Sequence, residues 1–156
     1  MKELEKMSIH LESEVIIVIP IDFAWKQSVG EHLYQIHPDV IISKVAGYPN
    51  LERQFIPRIN TSKDYLNYGV ERLLDHSEKI IYARRFGTEI KYSTAVWVYE
   101  AGENSCETRI LNIQDVELES EATVTEQEYK KIMEESIKNN LLQTQKYLEN
   151  EYSQAN

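Results

Sequence analysis

The side chains in this sequence best suited to chemistry are polar ones set among apolar neighbours. Tyr82, Tyr92 and Thr94 lie in β-patterned segments, Asn112 and Gln114 in another, and Ser136, Asn140 and Thr144 follow near the C-terminus. Tyr82 and Tyr92 alternate with charged residues and are read as facing inward, where tyrosine gives an apolar wall and a hydroxyl handle together. Thr94 shares the face of Tyr92, with Ile90, Val96 and Val98, which sets Lys91 outside. Asn112 and Gln114, if inward, need partners, because a buried amide without one costs a few kcal/mol. These groups suit holding an amphipathic molecule, with plain core packing around satisfied hydroxyls as the other reading. No G-x-S-x-G elbow, H-E-x-x-H, P-loop or G-x-G-x-x-G occurs, and the catalytic residues stay unassigned. His32 and His37 are five residues apart, so they fall on different faces of a helix and read as surface histidines, not metal ligands. Cys106 reads as a half-buried structural thiol. Arg72 reads as exposed, with a place inside a pocket as the alternative.

The elements that must position these residues follow from periodicity. Ser8 to Ile19 alternates as a half-buried strand whose last part, Val15 to Ile19, is apolar on both faces and expected to be covered on both. Pro20 ends it. Asp22 is expected to cap a short helix carrying Phe23, Trp25 and Val29 and closed by Gly30, with Trp25 turned to the core. A second helical turn is expected over Glu31 to His37. Six strand-like segments follow: Val40 to Ala46, Leu51 to Ile59, Tyr68 to Leu74, Lys79 to Arg85, Thr88 to Tyr99 and Cys106 to Leu118. Their connections are short enough for hairpins. From Thr125 to Tyr152 the pattern turns helical, opened by the capping-box spacing Thr125-x-x-Glu128. Met133, Ile137, Leu141, Thr144 and Leu148 share one helix face, with Tyr129 and Tyr147 at its edge. Ser136, Asn140 and Thr144 interrupt or flank this stripe, and either bond nearby sheet groups or line a hydrated cavity.

Composition narrows the classes. The chain has 156 residues, 42% of them apolar, enough for one domain, expected over residues 8–152 with 1–7 and 153–156 as tails. No apolar run is long enough to span a bilayer, and the charged first residues carry no secretory signal. A single cysteine fits a reducing compartment, and a cytoplasmic location is expected. The net charge is −9, and from Glu100 onward 13 acidic residues face 5 basic ones. Such a surface repels phosphate backbones, so nucleic acid is not an expected partner.

In order and spacing the chain resembles the START-like superfamily, also called helix-grip or SRPBCC proteins, which includes birch-pollen allergens and polyketide cyclase/dehydrase-like proteins. The resemblance rests on the opening strand ending Val18-Ile19-Pro20, the helix Asp22-Phe23-Ala24-Trp25 after it, the strand Tyr68-Gly69-Val70-Glu71-Arg72-Leu73, and Glu107-Thr108-Arg109-Ile110 before the final helix. It implies an α+β helix-grip fold: a seven-stranded curved antiparallel sheet around a long C-terminal helix, with two short helices between the first two strands. It implies also a cavity between sheet and helix that binds a small hydrophobic or amphipathic molecule, with no cofactor. The expected lining is Trp25, Tyr82, Tyr92, Thr94, Asn112, Met133, Asn140 and Thr144. Two alternatives stand beside ligand binding. One is an enzyme of the polyketide cyclase, aromatase or dehydratase type using the same cavity, and the other an interaction module using the acidic C-terminal helix. The ligand and the oligomeric state are open.

Overall fold

A computed structural model of the chain describes residues 8–29, 41–56, 68–87 and 90–155. The helical turn expected over residues 31–37, with His32 and His37, lies outside them. The fold is α+β. Strands β1 (Ser8–Ile17), β2 (Ile41–Val45), β3 (Tyr48–Ile56), β4 (Tyr68–Asp75), β5 (Ile80–Gly87), β6 (Ile90–Ala101) and β7 (Thr108–Leu118) form one curved sheet in the order β1-β7-β6-β5-β4-β3-β2. All neighbours pair antiparallel. Only β1 and β7 join across a long connection; from β3 onward every strand pairs with the one before it. Helix α1 (Ile21–Val29) follows β1, and helix α2 (Glu126–Ala155) ends the described chain.

Local chemistry sets most boundaries. In the β2–β3 hairpin Gly47 takes φ +82°, a left-handed conformation open to glycine without strain, and β3 resumes at once with Tyr48. Lys79 takes φ 57° in the turn before β5, an uncommon conformation for a side chain with a Cβ. At the start of α2, Thr125 Oγ1 accepts from the backbone N–H of Glu128 at 3.1 Å, and the Thr125 carbonyl accepts from that of Tyr129. Helix α1 begins one residue before the expected cap: Asp22 lies within the first turn, and the Pro20 carbonyl accepts from the Ala24 N–H.

One face of the sheet is covered and the other is open. Helix α2 buries Tyr129, Met133, Ile137, Leu141 and Leu148 against Ile9, Leu11 and Ile17 of β1 and Ile110, Val116 and Leu118 of β7. Thr108 Oγ1 donates to the Ile19 carbonyl at 2.7 Å, fixing the exit of β1. Trp25 of α1 closes one end, edge-on to the rings of Tyr99 and His76, and its indole N–H donates to His76 Nδ1 at 3.1 Å. Phe23 meets Tyr152 of α2 edge-on beside it. The double cover expected at the end of β1 is absent, because Ile16 and Val18 are 52% and 63% exposed on the open face. That face carries charge pairs instead: Glu71 with Arg53 and Arg84, Arg109 with Glu14 and Glu100, and His10 with Asp115.

Two outcomes follow from this packing. Trp25→Ala should lower unfolding free energy by about 3–5 kcal/mol, measured by chemical denaturation, whereas Trp25→Phe should keep most of it. The hydrogen bond with Asp115, then its charge and that of Glu12, raise the His10 pKa above 6.5. The contribution of this exposed pair, under about 1 kcal/mol, is therefore full below the ordinary histidine pKa and lost as pH rises through the raised one. Wild type should out-melt His10→Gln at about pH 5 and match it at about pH 9.

Candidate functional site

The inner face beneath α2 can be read in transverse rows. One row runs Glu52, Arg72, Ala83, Ala95, Gln114 and Leu11 across six strands, each opposite the next. The adjacent row runs Leu74, Ile81, Trp97, Asn112 and Ser13. On the other side Arg85 of β5 reaches Ser93 of β6. Six of these side chains are polar or charged and nearly wholly buried: Glu52, Arg72, Arg85, Ser93, Asn112 and Gln114. A dry core does not need them, so their partners decide what the face can do.

Two networks result. In the first, Arg72 Nε donates to Glu52 Oε1 at 2.6 Å, a buried ion pair. Its Nη2 is buried with no hydrogen-bond partner among the described residues. Arg72 also lies within electrostatic reach of the Tyr99 hydroxyl; burial raises the Tyr99 pKa more than the neighbouring Ser28 hydroxyl and the Arg72 charge lower it. In the second, Arg85 Nε donates to Ser93 Oγ at 2.9 Å and its Nη2 to Gln114 Oε1. Gln114 Nε2 donates to Asn112 Oδ1 at 2.8 Å, and Asn112 Nδ2 has no partner among the described residues. The amide orientations in this chain are forced. An arginine can only donate, so Gln114 must turn its oxygen to Arg85 and its nitrogen to Asn112, and Asn112 must end in N–H groups.

The helix adds a polar flank. Gln145 Nε2 donates to the Ile16 carbonyl and Glu149 Oε2 accepts from the Val18 N–H, so that side of α2 faces the β1 edge. Ser136, Asn140, Thr144 and Tyr147 lie on the side away from β1 and are half-buried. Thr144 Oγ1 and Asn140 Oδ1 are 3.4 Å apart, and burial followed by the charge of Glu151 raises the Tyr147 pKa. Trp97, central in the sheet and on the covered face, keeps part of its surface open while Ile81 and Asn112 of its row are closed.

The expected lining residues therefore divide. Asn112 is on the inner face, and Asn140 and Thr144 are on the helix flank. Trp25 and Met133 are buried in the apolar core. Tyr82 and Tyr92 are 45% and 53% exposed, and Thr94 sits opposite Arg84 and Asp115 on the same open face, so the inward orientation expected for all three is corrected. The cause in β6 is a register shift between Ile90 and Tyr92: Ile90 packs on the core, and past the irregularity Ser93, Ala95, Trp97 and Tyr99 take the inner face. Arg72 is buried rather than exposed, and Cys106 is exposed rather than half-buried. Sequence reasoning missed Glu52, Arg85, Trp97 and Tyr99 as inner residues. For Arg85 the alternation Ile81, Ala83, Arg85 was the available signal, masked by the equally regular Tyr82, Arg84, Phe86. Among the described residues no group of three His, Cys, Asp or Glu is placed to hold a metal ion, and no helix is long and apolar enough to cross a membrane.

A curved antiparallel sheet gripping one long helix over a half-polar interior is the START-like helix-grip architecture, and comparison with solved structures bears this out. A Streptomyces aromatase/cyclase, Zhui, superposes with a TM-score of 0.68 at 15% identity, covering 92% of this chain and 93% of its own. A START superfamily protein from Mycobacterium smegmatis gives 0.66 at 15% identity, covering 94% and 99%. Ara h 8.0201 gives 0.62 at 13% identity, covering 90% and 97%. At these identities the likeness shows the fold. No protein-family model and no curated protein matches the sequence.

The Glu52–Arg72 pair generates a clear expectation. Arg72→Met leaves a buried carboxylate without its guanidinium and should cost about 3–5 kcal/mol. Combining it with Glu52→Gln removes both charges, and unfolding curves of the double variant should show most of that loss recovered.

Proposed function

We propose that this protein binds a small, mostly apolar molecule between the inner face of its sheet and helix α2. The observation that carries the reading is Trp97. A tryptophan at the centre of a sheet, on its covered face, is ordinarily closed off by packing, and this one stays partly open beside the buried amide of Asn112, while Ser136, Asn140, Thr144 and Tyr147 of α2 are half-buried. An apolar wall with a few convergent polar groups is the usual make-up of a small-molecule site. The aromatase/cyclase and START superfamily likenesses support an interior used for ligands, without naming one.

Binding without turnover is the better-supported form. Among the described residues Glu52 is the one carboxylate on the inner face, and it is tied up in a buried ion pair with Arg72 rather than standing alone as an acid–base group. A reducing compartment such as the cytoplasm suits the exposed, unpaired Cys106.

The test is titration with diphenylhexatriene, a hydrocarbon fluorophore, expected to saturate at one site and to be displaced by fatty acids, sterols or flat polyphenols. A folded protein with no saturable binding would overturn the reading. Asn140→Leu should leave the melting temperature equal or higher while altering the order of competitors. A loss beyond about 2 kcal/mol with unchanged competition would make Asn140 a structural amide.

A further inference from the structure

We infer that the bound molecule carries an acceptor oxygen, a carboxylate or a ketone-type carbonyl, held by the free donors of Arg72 and Asn112; this rests on reading the interior as a binding site. Both atoms are buried, with Asn112 fully enclosed and Arg72 8% exposed, and neither has a hydrogen-bond partner among the described residues. A buried polar group left in that state costs about 1–3 kcal/mol. Buried polar atoms are normally paired, and an unpaired one calls for an explanation.

The sign of the missing partner is fixed by hydrogen-bond direction. Arg72 has no acceptor atom. The relay from Arg85 through Gln114 enters Asn112 at its oxygen, so only N–H groups remain at the other end. Both ends of the inner polar system thus donate, and a group that can only donate, such as an ammonium, would meet N–H against N–H. Arg72 and Asn112 stand on β4 and β7 in adjacent rows, about 16 Å apart at the backbone, and both side chains rise from the same face. The row between them is floored by Ala83 and Ala95, whose single methyl groups block neither. Trp97, directly opposite Asn112, supplies a flat apolar surface beside the donor. A molecule with one acceptor engages either donor and one with two acceptors spans both, its carbon skeleton against Trp97.

The experiment uses three probes with one fluorophore: diphenylhexatriene, its propionic acid derivative and the methyl ester of that acid. Wild type should bind the acid at least about tenfold tighter than the hydrocarbon, the difference expected from one added hydrogen bond to a charged donor. An ester that keeps this advantage identifies a carbonyl as sufficient; an ester that loses it identifies a carboxylate. Asn112→Leu and the double variant Glu52→Gln with Arg72→Met should each lower acid affinity about tenfold and change hydrocarbon affinity by less than about twofold. Because the hydrocarbon has no acceptor, its binding also reports that each variant is folded. Acid and ester binding no tighter than the hydrocarbon would overturn the inference and leave the container intact, as would variants that weaken all three probes alike. Wild type that binds no probe would overturn both.

Discussion

A sheet covered on one side hides only alternate side chains, and the helix that covers it commits every strand to one phase. Here that commitment is made by Tyr129, Met133, Ile137, Leu141 and Leu148 of α2 on the apolar side chains of β1 and β7. Once Ile110, Val116 and Leu118 face the helix, strict alternation brings Thr108, Asn112 and Gln114 inward with them. Register then carries the choice across the sheet, from Gln114 to Ala95, Ala83, Arg72 and Glu52. The polar interior is thus a consequence of the packing of the helix.

What makes this interior specific is the fixed polarity of its hydrogen bonds. A hydroxyl can turn, but a guanidinium cannot accept, so Arg85 gives its chain a direction that neither amide can reverse. The ion pair of Arg72 with Glu52 holds another donor rigidly beside it, with no net charge brought inside by that pair. Such arrangements are expensive to bury, and apolar replacements of ion pairs are often as stable. They stand on a face whose other members are mostly aliphatic and aromatic.

The fold was legible because its signals are redundant. The capping box at Thr125, the apolar stripe of α2, the alternation of β1 and β7 and the turn residues between strands all point the same way. The site was less legible because it depends on phase. In β5 and β6 both faces carry plausible inner residues, and the register shift after Ile90 reverses any phase extended from that residue to Tyr92. Asn112 could be found, since β7 is regular. Arg72 and Glu52 could not, because a charged strand residue reads as exposed unless its partner, 20 positions away in sequence, is known to stand opposite.

The contacts from α2 to the end of β1 have a second effect. Strand β1 is an outer strand of an open sheet, and such strands offer unpaired backbone groups to any extended segment that arrives. Gln145 occupies the Ile16 carbonyl and Glu149 the Val18 N–H, beside the exposed side chains of Ile16 and Val18, a sticky hydrophobic step. The helix therefore shields the stretch of β1 most prone to self-association. A change that loosened α2 to admit a larger guest would also uncover a template for aggregation, so solubility sets a limit on how far this grip can open.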